Sequence, residues 1–266
     1  MKTKPFAVVV LAAGKGKRMG ISGQKACIPI HGKPMVAHVL SSALTLAPAK
    51  TIVVVGHDAQ SVRSTIQEHI TQEIIFVHQK EQLGTGHALL HALPPLAGFK
   101  GDILVLYGDT PLIGSATLKN LLNKHQHKKA TATVLTALMH NPTGYGRIKR
   151  NVGGYVVDII EEKDASEEEK KVREINSGIY CFNADKLWGS LSHITNNNAQ
   201  NEYYLTDVIP ILSESGEKIH SVECRDAREI VGINTREQLI DVEKIKENRK
   251  NNEGTQKQFF DILIPS

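Results

Sequence analysis

The chain has 266 residues, 41% hydrophobic and 23% charged, with a formal net charge of +4. That length suits one large α/β domain, or one domain with a small appendage, and the charged fraction gives no sign of wholesale disorder. Lysine and arginine form no long block, so no nucleic-acid partner is demanded; a small anionic substrate suits the chain better. Three cysteines, Cys27, Cys181 and Cys224, are too few and odd in number for a disulfide framework and point to a reducing compartment. The run from Met1 lacks the apolar stretch and cleavage site of a secretory leader, and no apolar run reaches membrane-spanning length. A soluble cytoplasmic protein with no membrane contact is expected.

In chain order, Phe6–Ala13 reads as a buried strand and Pro34–Leu46 as a helix with proline in its first turn. Thr51–Gly56 is a second buried strand, Ser61–His69 a helix, Ile74–Gln79 a third strand, Gly86–Leu93 a helix and Asp102–Asp109 a fourth strand. Near-continuous apolar strands alternating with helices imply a mostly parallel central sheet flanked by helices on both faces, a Rossmann-like α/β architecture. The second half changes character. Ala130–Met139 reads as a strand, and a glycine turn at Gly153–Gly154 joins short antiparallel strands. "ASEEEKKVRE" is predicted to be a surface helix, "INSGIYCF" a strand, Ala184–Ile194 and Tyr204–Ser213 helices, and "IHSVEC" and "EIVGIN" strands. Thr235 to about Asn248 reads as an amphipathic helix, followed by a polar stretch and the apolar end "FFDILIPS". The expected division is a main domain over 1–234 and a C-terminal helix and tail over 235–266.

The first strand runs into "VVVLAAGKGKRMG". Gly14 and Gly16 begin like a dinucleotide fingerprint, but the third glycine position is Met19, and the Gly-Lys-Ser/Thr ending of a Walker loop is missing. The small residues Ala12, Ala13, Gly14 and Gly16 let a ligand lie against the backbone, and turn amides of this kind can converge on phosphate oxygens. Lys15, Lys17, Arg18 and Lys25 surround them, and Arg18 and Lys25 can neutralise a polyphosphate. The composition suits a triphosphate bent for attack at an inner phosphorus.

In an open parallel sheet, ligands bind outside the carboxyl ends of the strands. The third strand ends in Gln79 and "EQLGTGHA", and the fourth in "LYGDTPL". The Gln79 amide offers a donor and an acceptor to a nucleobase edge. Gly84 and Gly86 permit close approach, and Thr85 is a candidate N-cap. Asp109 is the only acid at the carboxyl ends of these central strands; it either caps the turn before Pro111 or holds magnesium. His87 and His91 stand at i, i+4, yet no glutamate and no third ligand complete a zinc pattern, so both read as ordinary helix residues.

"LAAGKGKRM", Lys25, "QLGTGHA", "LYGDTPLI", "PTGYGRI", "EEKDA", "EINSGIY", "NNNAQNEYYLTD" and "GIN" follow in that order over about Val8–Asn234. Together they resemble the sugar-nucleotide pyrophosphorylases, most closely the bacterial N-acetylglucosamine-1-phosphate uridylyltransferase family. The resemblance implies a nucleotidyltransferase fold with a small antiparallel sugar-binding part, and a step in cell wall precursor biosynthesis. It implies that Leu11, Ala12, Ala13 and Gly14 line the uridine and phosphate site. Gln79, Gly84 and Thr85 would read the uracil, while Arg18 and Lys25 would bind the triphosphate and stabilise charge during transfer. Tyr107, Gly108 and Asp109 would approach ribose, sugar and metal, and Gly146, Glu161 and Asn176 would hold the acetylated amino sugar. Asn234 would join Asp109 as a Mg2+ ligand. Two departures stand out. Gln24 occupies the place of the family's usual proline before the lysine, which leaves that loop's position open, and no hexapeptide repeats of an acetyltransferase domain follow before Ser266.

The implied reaction takes UTP and N-acetylglucosamine-1-phosphate to UDP-N-acetylglucosamine and pyrophosphate, with Mg2+ as cofactor. The sugar phosphate is already a nucleophile, so the demand is charge neutralisation and in-line alignment. A related transferase using glucose-1-phosphate or dTTP, and a non-catalytic sugar-nucleotide sensor, remain as alternatives. A homo-oligomer is left open. An NAD-dependent oxidoreductase is disfavoured by Met19.

Overall fold

A computed structural model describes residues 4–14 and 24–248. In chain order the elements are β1 (Phe6–Ala12), β2 (Pro29–Ile30), β3 (Lys33–Pro34), α1 (Met35–Leu44), β4 (Lys50–Val55), α2 (Ala59–Gln67), β5 (Ile75–His78), α3 (Thr85–Leu90) and β6 (Asp102–Tyr107). Then come α4 (Ser115–Lys128), β7 (Ala132–Leu138), β8 (Arg147–Arg150), β9 (Val156–Ile160), β10 (Glu174–Asn183), α5 (Ala184–Leu191), α6 (Val208–Glu214) and β11 (Ile219–Glu223). A last helix, α7, covers 236–248.

Nine strands form one sheet in the order β5-β4-β1-β6-β10-β7-β11-β9-β8, and β2 and β3 make a separate two-stranded ribbon. β5, β4, β1 and β6 pair in parallel, with Val10 opposite both Val53 and Leu106. β10 then runs antiparallel to both β6 and β7. The antiparallel part expected for the second half is therefore continuous with the parallel sheet.

All seven residues of β1 are buried, which is why it reads as an uninterrupted apolar run. Successive side chains point to opposite faces. Val8, Val10 and Ala12 join α1, α2 and α4 in one core, while Ala7, Val9 and Leu11 join α3, α5 and α6 in the other. Each fully buried Val, Leu or Ile in these layers contributes about 1.5–3 kcal/mol relative to exposure. A third cluster packs α7 through Val242, Leu239 and Ile245 onto Ile30, Met35, Leu112 and Ile233.

Three elements differ from the sequence reading. α4, for which the sequence pattern gives no expectation, carries an apolar stripe that a histidine interrupts. That residue, His125, is buried, its Nδ1 is 2.9 Å from the Thr133 hydroxyl, and it continues the inward face of Leu118, Leu121 and Leu122. "ASEEEKKVRE" is no helix: only a short 3-10 turn, Glu169–Lys171, forms there, with no buried residue. Its ion pairs Lys170–Glu167 and Lys171–Glu168 are solvent-facing and weak. "EIVGIN" is not a strand either. A 3-10 turn, Ala227–Ile230, precedes an irregular stretch whose Ile233 amide donates to the Asp109 carbonyl at 3.0 Å.

Candidate active site

The carboxyl ends of β1, β5 and β6 open on one cleft of about 790 Å3, a volume suited to a small-molecule ligand. Leu11, Ala12, Ala13 and Gly14 line its floor. The Gly108 amide donates to the Leu11 carbonyl at 2.9 Å, and a Cβ at Gly108 would stand 3.2 Å from Ala12 Cβ. Small side chains on both strand ends are what leave this floor open. Arg18, with Lys15 and Lys17, lies outside the described residues.

Lys25 begins a 3-10 turn, Lys25–Cys27, on the cleft wall. The preceding Gln24 takes an extended conformation without proline, is buried, and donates through its amide to the His57 carbonyl. The Lys25 ammonium donates to Asp109 Oδ2 and to Asn234 Oδ1, the latter at 2.7 Å. These three residues are brought together across sequence separations of 84 and 209. Asn234 is held by its own neighbourhood. Its backbone amide donates to Gln238 Oε1 at 2.6 Å, and its Nδ2 lies 3.4 Å from the Gly232 carbonyl, which turns Oδ1 toward the ammonium.

A carboxylate and an amide oxygen that already converge on one cation form a hard-oxygen donor set that fits magnesium. Among the described residues, no group of three or more His, Cys, Asp and Glu could hold a metal ion. A magnesium ion here would complete its shell with phosphate oxygens and water.

The opposite wall is the loop after β5. The Gln79 amide N–H closes onto the Val55 carbonyl at 2.8 Å. The Gln79 side chain, buried and facing the cleft, donates from Nε2 to the Gly84 carbonyl at 3.1 Å and to His87 Nδ1 at 2.9 Å. Gly84 has φ +117°, and a Cβ there would lie 2.5 Å from the Tyr203 carbonyl oxygen. No other residue fits this position without displacing backbone. Thr85 is not the N-cap. Gly84 holds that place, and the Thr85 hydroxyl instead accepts from the Leu205 amide at 3.0 Å and hydrogen-bonds the Tyr107 phenol. The "GTG" loop is thereby fastened to "NEYYLTD". Lys80, Gln82 and Glu202 also line the cleft, although neither spacing nor periodicity singled them out.

Gly146, Glu161 and Asn176 do not line this cleft; they gather beside it. A Cβ on Gly146 would stand 3.6 Å from both Asn176 Cβ and Glu161 Oε1, and the Asn176 amide donates to the Gly146 carbonyl at 2.8 Å. The Asn176 side chain is occupied: its Nδ2 donates to the Tyr180 hydroxyl at 2.7 Å, and its Oδ1 accepts from the Gly178 amide at 3.0 Å. Gly178, at φ +80°, leaves room for the Tyr107 ring, which a Cβ would meet at 2.8 Å. Tyr107 is thus the wall shared by the cleft and this group. Burial raises the Glu161 carboxyl above its usual range, opposed by the Thr206 hydroxyl that donates to it at 3.1 Å and assisted by the nearby acids Asp164, Asp207 and Glu202.

A glycine-floored cleft at strand ends, walled by a cation–carboxylate–amide triangle, is the architecture of a nucleotide-handling transferase, and the chain belongs to the nucleotidyl transferase family, whose model matches residues 7–248. It is 47% identical over 241 residues to the Bifunctional protein GlmU of Brevibacillus brevis, a match covering 91% of this chain and 51% of that protein. It is 45% identical over 243 residues to the Bifunctional protein GlmU of Enterococcus faecalis, covering 91% and 52%. The chain spans about half the length of these curated relatives. Among solved structures, a UDP-glucose pyrophosphorylase complexed with UDP-glucose matches with a TM-score of 0.76 at 17% identity, covering 92% of this chain and 99% of that one. At that identity the likeness is one of fold. No helix among the described residues is long and apolar enough to cross a membrane.

Proposed function

We propose that the chain transfers a uridylyl group from UTP to N-acetylglucosamine-1-phosphate, releasing pyrophosphate and forming UDP-N-acetylglucosamine. The observation that carries this reading is the convergence, in one cleft, of the Gln79–Gly84–Thr85 wall and the Lys25–Asp109–Asn234 triangle. The GlmU likeness and the ordered motifs support the choice of nucleotide and sugar.

An oxygen of the sugar phosphate attacks the α-phosphorus of UTP. One P–O bond forms, the bond to the bridging oxygen breaks, and pyrophosphate leaves with that electron pair. The chain's task is to hold two anions in line and to balance the charge that accumulates on the leaving group. The floor from Leu11 to Gly14 lets phosphate lie against backbone. An ammonium has three N–H donors; Lys25, which rests on Asp109 and Asn234, would turn its donors to phosphate oxygens once those two oxygens hold a metal. Arg18 is proposed, from its position in the glycine loop, to take the triphosphate side. Asp109 and Asn234 would hold Mg2+, which when bound supplies charge neutralisation between the phosphates. Tyr107 separates the nucleotide side from the group of Gly146, Glu161 and Asn176, which is proposed to receive the acetylated sugar.

Pyrophosphate release from UTP, CTP, dTTP and ATP against several sugar-1-phosphates, with magnesium present, tests this reading. UTP with N-acetylglucosamine-1-phosphate should be the preferred pair. Preference for dTTP or for glucose-1-phosphate would overturn the substrate assignment, and tight binding without pyrophosphate would mark a sensor.

A further inference from the structure

His87 belongs to no metal site, and nothing in the proposed transfer uses it. Yet it touches Gln79, whose amide is expected to meet the base edge. Gln79 Nε2 has two hydrogens. One goes to the Gly84 carbonyl at 3.1 Å, an atom that can only accept, and the other goes toward His87 Nδ1 at 2.9 Å. The Glu81 backbone takes a hydrogen bond from the same ring. An amide nitrogen donates and does not accept, so Nδ1 is the acceptor in its contact with Gln79 and the neutral ring carries its proton on Nε2. Both Gln79 hydrogens are thereby committed, and the group left to meet a ligand in the cleft is its Oε1.

We infer that His87 is a positioning residue for base selection: it locks the Gln79 amide with its oxygen toward the cleft, so that the site takes a base offering an N3–H and opposes one offering an N3 lone pair. The inference rests on the reading of Gln79 as the uracil contact. Uracil and thymine carry N3–H; cytosine carries an acceptor there. Oxygen against that acceptor leaves two lone pairs facing each other with no hydrogen between them, which is costly at a side chain as buried as Gln79. The mechanism discriminates UTP from CTP and is blind to UTP against dTTP.

The surroundings keep the ring neutral. Burial lowers its basicity first, and His91, one turn along α3 with ring centroids 4.7 Å apart, lowers it further. Glu81, from the loop after β5, acts in the opposite direction. From the facing segment, Tyr203 lays its ring 6.4 Å away. If the ring gains a proton, Nδ1 becomes a donor facing the Gln79 N–H, and the lock fails.

The test is equilibrium binding of UTP, CTP and dTTP to the intact chain with magnesium, for wild type, His87→Leu and His87→Asn. Asparagine places an oxygen where Nδ1 stands and preserves an acceptor; leucine does not. The wild type should favour UTP over CTP. His87→Leu should lower that ratio about tenfold while leaving UTP against dTTP unchanged, and His87→Asn should restore it. Acidification through the lowered pKa of His87 should erode the wild-type ratio toward that of His87→Leu, but leave His87→Asn unmoved relative to its own value at neutral pH. If His87→Leu does not fold, His87→Ala takes its place with the same expectation. A wild type indifferent to UTP and CTP would overturn the uridine reading itself, and this inference with it. A selective wild type whose ratio survives His87→Leu would overturn this inference alone.

Discussion

The sheet has two halves that build the site differently. In the parallel half, β5, β4, β1 and β6, residues facing the cleft sit at the last positions of strands or just past them: Leu11 to Gly14, Gln79, and Tyr107 to Asp109. In the half around antiparallel β10, the proposed sugar-side residues lie near or within strands. Asn176 stands where the β10–β7 register shifts, and Gly178 at positive φ follows it. Parallel strands deliver their loops to one edge by topology, whereas an antiparallel strand needs an irregularity in the ladder to turn its backbone toward a ligand. The proposed nucleotide side is therefore assembled from strand ends and loops, and the proposed sugar side from a distorted strand.

Breaking the junction of the two halves should have the largest effect. Asp109 follows β6 by two residues and meets Asn234 through the Lys25 ammonium. Asp109→Ala should lower kcat about a hundredfold or more, the scale of losing a group that meets developing charge. Steady-state pyrophosphate release would measure this, with a melting curve as the control for folding; near-normal kcat with magnesium saturating would remove Asp109 from the mechanism. Next is the nucleotide half alone. Gly84→Ala forces a Cβ to within 2.5 Å of the Tyr203 carbonyl at φ +117°, strain on the order of 1–3 kcal/mol. It should raise the KM for UTP about tenfold and leave the KM for the sugar phosphate alone.

The complementary change is Glu161→Gln, which removes a charge beside Gly146 and Thr206. A single hydrogen bond weakened by about 1 kcal/mol should raise the KM for the sugar phosphate about fivefold with UTP unaffected. Equal changes for both substrates in either variant would mean that the two halves are not separate subsites.

The smallest effect expected is on stability. Burial first, then Asp158 and Asp164, push the Asp207 carboxyl up to about 6, and no capping bond from this side chain to α6 is lost on substitution. A carboxyl whose folded pKa lies above its unfolded value of 3.8 is more costly to fold ionised than protonated. Asp207→Asn should therefore raise Tm by about 2–4 °C, the scale of 1 kcal/mol in a chain of this size, when measured above pH 6. The gain should shrink as pH falls and vanish below the unfolded pKa, where both forms are neutral. A Tm difference independent of pH would show that ionisation of Asp207 is not its cause.

Much of this was legible from the residues. The buried strands announced themselves because β1, β4 and β6 are apolar on both faces, and the loops after them followed by position. Asp109 stood out as a lone acid after an apolar run. Other features resisted reading. α4 hides its inward face behind His125, which is buried because Thr133 satisfies one of its ring nitrogens. The acidic stretch before β10 has helix-forming residues but no apolar stripe, so little tertiary burial is available to convert propensity into a helix. "EIVGIN" has strand composition, yet it leaves the sheet, where the Glu229 side chain accepts from the Gly114 amide at 2.8 Å and Ile233 bonds Asp109.

Composition and periodicity determined the α/β class, the parallel core and the glycine-floored loop, because each reports a local property: which residues must be buried, and at what spacing. Motif order pointed to the family, to Asp109 and Asn234 as a metal pair and to Lys25 as a separate triphosphate contact, but not to the three meeting at one ammonium. That contact required β10 to enter the sheet between β6 and β7 and the chain to return after β11 beside the end of β6. The facing of the Gln79 amide is of the same kind. Its orientation, oxygen or nitrogen toward the cleft, follows from the contacts of its one nitrogen with the Gly84 carbonyl and the His87 ring, and hydrogen-bond direction between side chains is a property of their placement in space that no spacing along a chain encodes.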